Sequence, residues 1–270
     1  MRCIFCKNPS NNSRSVEHII PESLVNQSHV LSLGIVCDRC NNYFARKLEG
    51  PLLDSQLFRH LRSRQGLPNK RGFLPPIDGI IPAVPTEVDM WLHGSRLFLN
   101  AKRERDQQSL FDAIATGRAT QVWIGPEPAP DGRLVARFLG KVAIEFLATR
   151  IIHVEGWEEC LIDDPQLDPL RHFVRIGNTP EAWPISIRKI YDEDACHLGP
   201  EGPCQVLNEF DFLYTSNKEL YAVLCIFGVE FALNMGGPDM DGYKRWLEEH
   251  SQASPLYKGG GSNLIDLPSV

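Results

Sequence analysis

The chain lacks any run of about 18 apolar residues, so no membrane-spanning helix is expected. It also lacks the glycine-rich loops that cradle nucleotide phosphates, the dinucleotide-binding glycine pattern and the serine-hydrolase elbow, so chemistry built on those motifs is not expected. No charged-then-apolar leader follows Met1, and Cys3 already belongs to a motif; a cytoplasmic protein is expected. No internal repeat is present. Hydrophobic residues at 43% and charged residues at 23% are neither sparse nor excessive, which excludes a disordered or fibrous chain. The 270 residues suffice for one large domain or two smaller ones.

Cysteine is not scarce. Four of the eight fall in the first 40 residues, as C-I-F-C (Cys3, Cys6) and C-D-R-C (Cys37, Cys40), with thirty residues between the pairs. In a reducing compartment such pairs are metal ligands rather than disulfides. Two residues between cysteines let one tight turn present two thiolates to one ion, and tetrahedral zinc needs two such turns. A lobe of about 65 residues buries too little apolar surface to be safely stable alone. Structural zinc, with an apparent binding energy on the order of 10 kcal/mol, decides whether it folds. Cys160 and Cys225 are expected to fill core positions. Cys196, His197 and Cys204, near Asp192 and Asp194, are read as an ordinary loop, with a second metal site as the alternative.

The net charge of −6 is unevenly spread: residues 1–71 carry eleven Lys or Arg against five Asp or Glu, a balance of +6 that leaves −12 on the rest. A basic lobe beside an acidic one points to a polyanion partner for the first. Proline and glycine crowd residues 66–87. The expected organisation is a zinc-stapled domain at 1–70, a linker at 71–88, an α+β domain at 89–250 and a flexible tail at 251–270 containing Gly-Gly-Gly-Ser. The fold class is α+β.

In the first lobe, strands are expected over 15–20 and 30–36. A helix should start at Cys40 or Asn41 and stop at Gly50-Pro51. A second helix over 55–64 should bury Leu57, Phe58 and Leu61 and turn Arg59, His60, Arg62 and Arg64 away. In the larger lobe, strands are expected over 90–101, 120–124, 172–176 and 185–191. A hairpin follows at 208–214 and 219–227, then a strand over 229–235 and a helix over 241–249. The strongest helix signal is 134–150, where Val135, Phe138, Leu139, Val142, Phe146 and Leu147 recur at helical spacing and should pack on a sheet.

Between the cysteine pairs stands V-E-H-I-I-P, and the second pair runs on as C-D-R-C-N-N. With C-I-F-C, these stretches resemble the HNH endonuclease family, the ββα-metal nucleases, in the variety with two C-x-x-C pairs, over about residues 3–50. The resemblance implies a metal-dependent endonuclease that hydrolyses DNA phosphodiester bonds. It implies His18 as the general base that takes a proton from water, a step suited to an imidazole. It implies Glu17 as a ligand of the catalytic cation, Mg²⁺ or Mn²⁺, with Asn41 as a second ligand and Asn42 as the alternative. Two positions depart from the family: Glu17 stands where Asp is usual, and Ser32 or Gly34 where an Asn helps hold the loop carrying the His. His29 is read as a plain loop residue.

Arg39, Arg46, Lys47, Arg59, Arg62 and Arg64 are the expected phosphate contacts, giving sequence-independent, salt-sensitive binding. The acidic lobe carries no motif that names its role. Family analogy suggests a bacterial restriction or anti-phage system, with a regulatory protein, a small ligand or a second copy as the lobe's partner. The alternative from another class is a zinc-stabilised DNA-binding or regulatory module without nuclease activity. A third reading is an RNA nuclease.

Overall fold

The computed structural model describes residues 1–26, 28–69, 71–93, 96–126, 130–199, 202–256 and 264–265. The fold is α+β. It forms two compact units, residues 1–49 together with 131–270, and residues 50–130. These units do not part at 71–88, where a linker was expected. That stretch contains a β-strand, with prolines outside it rather than within.

Two short strands, β1 (Glu17–His18) and β2 (Val30–Leu31), pair antiparallel with His18 opposite Val30. Both are shorter than the sequence suggests, because the flanking backbone is held otherwise. Before β1, the Arg14 and Ser15 amides donate to the Asp38 carboxylate. After β2, Gly34 turns at φ +88°, where an added Cβ would lie 3.1 Å from the Ser10 carbonyl oxygen. This close approach accounts for glycine there. Helix α1 (Asp38–Phe44) begins earlier than expected, with Cys37 as its extended N-cap residue, and a π-helical turn spans Ala45–Glu49.

In the unit of residues 50–130, α2 (Gly50–Leu53) shows that Gly50-Pro51 is not a stop. Helix α3 (Gln56–Arg64) follows. It buries Phe58 and Leu61 as expected, but also His60 and Arg62. Strands β3 (Ile77–Ile81), β4 (Thr86–His93) and β5 (Arg96–Ala101) form an antiparallel sheet in that order. Helix α4 (Gln107–Ala115) contributes Leu110 to a small core with Ile81 and Val88. Residues 120–124 make only an isolated bridge, Trp123 to Ile80, rather than a strand.

Residues 131–270 start with α5 (Gly132–Ile151), capped by the Asp131 carboxylate, which accepts from the Arg133 and Leu134 amides. Then come α6 (Trp157–Leu161) and α7 (Asp168–Arg175). The strand expected over 172–176 is therefore helix. Leu170, Phe173 and Val174 are buried at helical spacing behind Pro169, a pattern that a five-residue window misses. Strands β6 (Ile185–Lys189), β7 (Cys196–Gly199), β8 (Gly202–Gln205), β9 (Asn208–Tyr214), β10 (Leu220–Ile226) and β11 (Val229–Asn234) follow, then α8 (Asp241–Glu249) and β12 (Leu264–Ile265).

The main sheet is antiparallel in the order β6-β11-β10-β9. Helix α8 covers one face through Tyr243 and Leu247, which pack with Tyr221, Val223 and Cys225. Helix α5 covers the other, with Phe146 stacked on Phe210 at 3.9 Å between ring centroids. Within the expected flexible tail, Leu256 belongs to the core and Leu264–Ile265 pairs with β7. The Gly-Gly-Gly-Ser stretch lies outside the described residues.

Candidate active site

The two cysteine pairs come together. Cys3 and Cys6 lie on a turn closed by the Lys7 amide donating to the Cys3 carbonyl at 2.9 Å. Cys37 and Cys40 lie at the start of α1. The Cys37 amide donates to Cys3 Sγ at 3.4 Å, and Cys6 Sγ is 3.6 Å from Cys37 Sγ. All four sulfurs lie within 4.8 Å of one another. Zinc–sulfur bonds of about 2.3 Å in a tetrahedron give sulfur–sulfur edges of about 3.8 Å, so the four thiols fit zinc. A hydrogen bond from Cys40 pulls the Cys3 thiol down to about 5, while the same contact pushes the Cys40 thiol up. Among the described residues this is the one His, Cys, Asp or Glu group arranged for a metal, and Cys196, His197 and Cys204 form no second one. Cys225 fills a core position, whereas Cys160 is exposed.

The scaffold then fixes the His18 strand from several sides. The Asp38 carboxylate accepts from the Ser15 hydroxyl at 2.6 Å as well as from the two amides before β1. Those hydrogen bonds, first the Ser15 hydroxyl, hold its carboxyl below the usual range. Asn41 Nδ2 donates to the Val16 carbonyl at 3.0 Å, so α1 grips the chain two residues before His18. The Ile19 amide donates to the His29 carbonyl at 3.0 Å. Asn26, only 1% exposed, holds the loop between the strands. Its Nδ2 donates to the carbonyls of Ile20 (2.7 Å) and His29 (3.0 Å), and its Oδ1 accepts from the amides of Ser28 and His29. The sequence reading missed Asn26 because it sought a loop-holding residue on the second strand. An Asn in a short loop just after E-H-I-I-P is the signal that marks it.

Successive strand residues point to opposite faces, and that decides the roles of Glu17 and His18. Glu17 points inward and is buried. Its Oε1 lies 2.6 Å from Lys141 Nζ of α5. The same ammonium lies 2.9 Å from Glu49 Oε1 and 3.0 Å from Glu145 Oε2. It also donates to the main-chain carbonyls of His18 (3.0 Å) and Ile19 (3.2 Å). Burial alone would lower the Lys141 pKa, but the carboxylates of Glu145, Glu17 and Glu49 more than reverse this, leaving it raised. Burial raises Glu17, and raises Glu145 further, each partly countered by Lys141.

A hard divalent cation needs free oxygen donors. The Glu17 carboxylate is engaged by an ammonium through Oε1, and its Oε2 is buried without a hydrogen-bond partner. A divalent ion about 4 Å from that ammonium would be repelled by about 8 kcal/mol at an effective dielectric constant of 20. That repulsion, opposed by the Glu49 and Glu145 carboxylates around the same ammonium, is what stands against the role of cation ligand that the resemblance implies for Glu17. Asn41 uses its amide nitrogen on Val16 and keeps its oxygen.

His18 is half-buried. Its Nδ1 is sealed from solvent without a hydrogen-bond partner, which leaves Nε2 as the ring nitrogen that can face water or substrate. Of the expected phosphate contacts, Arg39, Arg46, Lys47 and Arg64 are exposed. Arg59 donates to Asp78 at 2.7 Å. Arg62 is 4% exposed, and burial lowers its pKa against the opposing influence of Asp54. Neither Arg59 nor Arg62 is placed as a solvent-facing cation.

The basic excess of the first 71 residues is partly answered inside the protein. Arg2 forms a two-pronged bond to Asp163 at 2.7 and 2.9 Å, and Lys7 pairs with Asp168 at 2.6 Å.

Residues 3–57 match the model of a family described as HNH endonuclease. The match spans the four cysteines, Glu17, His18 and Asn41, and about a fifth of the chain. No curated protein and no solved structure matches the chain.

Proposed function

We propose that this HNH segment hydrolyses DNA phosphodiester bonds, with His18 as the general base. The observation that carries the proposal is the fixing of β1: Asp38, Asn41, Asn26 and Lys141 all bond the backbone on or beside His18, while its Nε2 is left for a proton. His18 would take a proton from a water molecule that attacks phosphorus; a positioned base of this kind is typically worth about a hundred- to ten-thousand-fold in rate. Mg²⁺ or Mn²⁺ belongs to this reading as the ion that stabilises phosphate charge, with Asn41 or Asn42 as its protein oxygen donor. Arg39, Arg46, Lys47 and Arg64 are the proposed phosphate contacts. A restriction or anti-phage setting, in the cytoplasm, rests on family analogy alone.

The pairing of Glu17 with Lys141 favours one second reading, a zinc-stabilised DNA-binding module without chemistry. Plasmid nicking with added Mg²⁺ or Mn²⁺, comparing intact protein with His18→Ala, separates the two. Under the first reading, intact protein nicks, and the variant binds DNA but does not cut it. Failure of intact protein to cut with either ion sinks the nuclease reading, and equal cutting by both proteins removes His18 from the chemistry. Parallel digestion of single-stranded DNA and RNA tests the substrate.

A further inference from the structure

Lys141 lies on α5, far outside the segment that the HNH family model matches, yet its side chain reaches the strand carrying His18. The side chain is 0% exposed. Five oxygens surround its nitrogen: Glu17, Glu49 and Glu145 carboxylate oxygens and the main-chain carbonyls of His18 and Ile19, at 2.6 to 3.2 Å. An ammonium has three protons, so it cannot bond all five at once with full strength. The arrangement is a coordination shell around a fixed point charge. It takes in both sides of the catalytic strand position, the carboxylate of the preceding residue and the carbonyl of His18 itself. Removing the ammonium would leave buried carboxylates facing one another, and β1, which is only two residues long, would lose a tether at its end.

Resting on the nuclease reading above, we infer that Lys141 is a positioning residue of the His18 site, and that its ammonium, not a divalent ion, is the cation Glu17 serves. The appended region thus completes the site. Glu17 holds Lys141, Lys141 holds the His18 and Ile19 carbonyls, and His18 keeps its side chain on the opposite face.

The experiment uses full-length, zinc-loaded protein in four forms: intact, Glu17→Gln, Lys141→Met, and Lys141→Met with Glu145→Gln. The double variant removes one buried acid together with the ammonium, which guards against simple misfolding. Three quantities are measured: steady-state plasmid nicking, Mn²⁺ binding by paramagnetic resonance with the metal alone, and hydrogen exchange of the Ile19 amide. The expected result is unchanged Mn²⁺ affinity in Glu17→Gln. In the double variant kcat should fall by about a hundredfold, the scale of a misplaced catalytic group, with KM for DNA unchanged and Ile19 exchange faster.

Loss of Mn²⁺ affinity by about tenfold or more in Glu17→Gln would make Glu17 a metal ligand and overturn the inference. So would a folded double variant that nicks at the intact rate while intact protein is active; that outcome leaves the nuclease reading standing. If intact protein cuts nothing, the nuclease reading fails, and the positioning role falls with it.

Discussion

The Arg171 guanidinium donates from Nε to the Ile4 carbonyl at 2.9 Å, joining α7 to the turn that carries Cys3 and Cys6. Its Nη1 bonds the Asp164 carbonyl and, at 2.6 Å, the Asp168 carboxylate, which also receives Lys7. The zinc-motif segment is thereby built into residues 131–270 and is not a free-standing lobe, as the compact unit of 1–49 with 131–270 also records.

Arg171→Met should therefore destabilise this unit. It strips partners from a buried carbonyl and from Asp168, and a buried polar group left unpaired costs about 1–3 kcal/mol. Urea unfolding followed by tryptophan fluorescence should show a lower midpoint with an unchanged slope. A midpoint equal to that of intact protein would show that the contact contributes nothing net.

Zinc content should be one ion per chain by elemental analysis, held by Cys3, Cys6, Cys37 and Cys40. Strong chelation, or Cys3→Ser with Cys40→Ser, should remove the metal and unfold residues 1–49 before the main sheet, because structural zinc supplies on the order of 10 kcal/mol of folding energy to the segment whose two cysteine turns it joins. Proteolysis should then begin within those residues. Persistent protection of Ile4, Ile19 and Ile35 amides after complete zinc removal would contradict this.

How much of this was legible in the sequence depends on the distance over which each interaction acts. The cysteine spacing, the Glu-His pair and α5 were legible because each is a local pattern with one physical meaning. The partner of Glu17 was not, since Lys141 is 124 positions away and looks on a helical wheel like any polar residue of α5. The fate of Arg59 and Arg62 was hidden for the same reason: the Asp78 that engages Arg59 and the burial of Arg62 are set by tertiary packing, and helix periodicity cannot see them. Gly34 looked like a lost motif residue, but its positive φ and its approach to Ser10 give it a backbone role.

Asn26→Ala should loosen the strand-connecting loop. Four hydrogen bonds are removed, and the Ile20 carbonyl loses its donor in a buried place, for a loss of about 2–3 kcal/mol. If His18 is the base, nicking should fall more steeply than DNA binding. A variant with intact stability and intact nicking would remove Asn26 from any role in holding the loop.

Acid should weaken the unit of residues 50–130 through Asp78. Burial pushes this carboxyl up, but the Lys102 ammonium and the Arg59 guanidinium outweigh it and leave it below its ordinary 3.8. A depressed folded value means that the unfolded chain binds the proton more readily. The stabilisation is thus complete above 3.8 and is lost as pH falls through the folded value. Asp78→Asn should lower stability at neutral pH and flatten its decline below about pH 4, as read by unfolding midpoints across that range. A variant with the same acid profile as intact protein would assign the decline to other carboxylates.

DNA binding should separate the exposed cations from the buried one. Arg39→Ala, Arg46→Ala and Lys47→Ala should each weaken binding to unrelated duplexes alike, and each should reduce the slope of log K against log salt by about 1. Arg62→Met should leave that slope unchanged, because a guanidinium 4% exposed has no phosphate within its reach from solvent. Its stability should hold or rise, since an apolar chain of similar length replaces a buried charge whose Nε and Nη2 make no hydrogen bond. Fluorescence anisotropy at four salt concentrations, with an unfolding midpoint for each variant, reads both quantities. A reduced slope in Arg62→Met alone would place the DNA on the α3 surface, and would require Arg62 to leave its buried position when DNA binds.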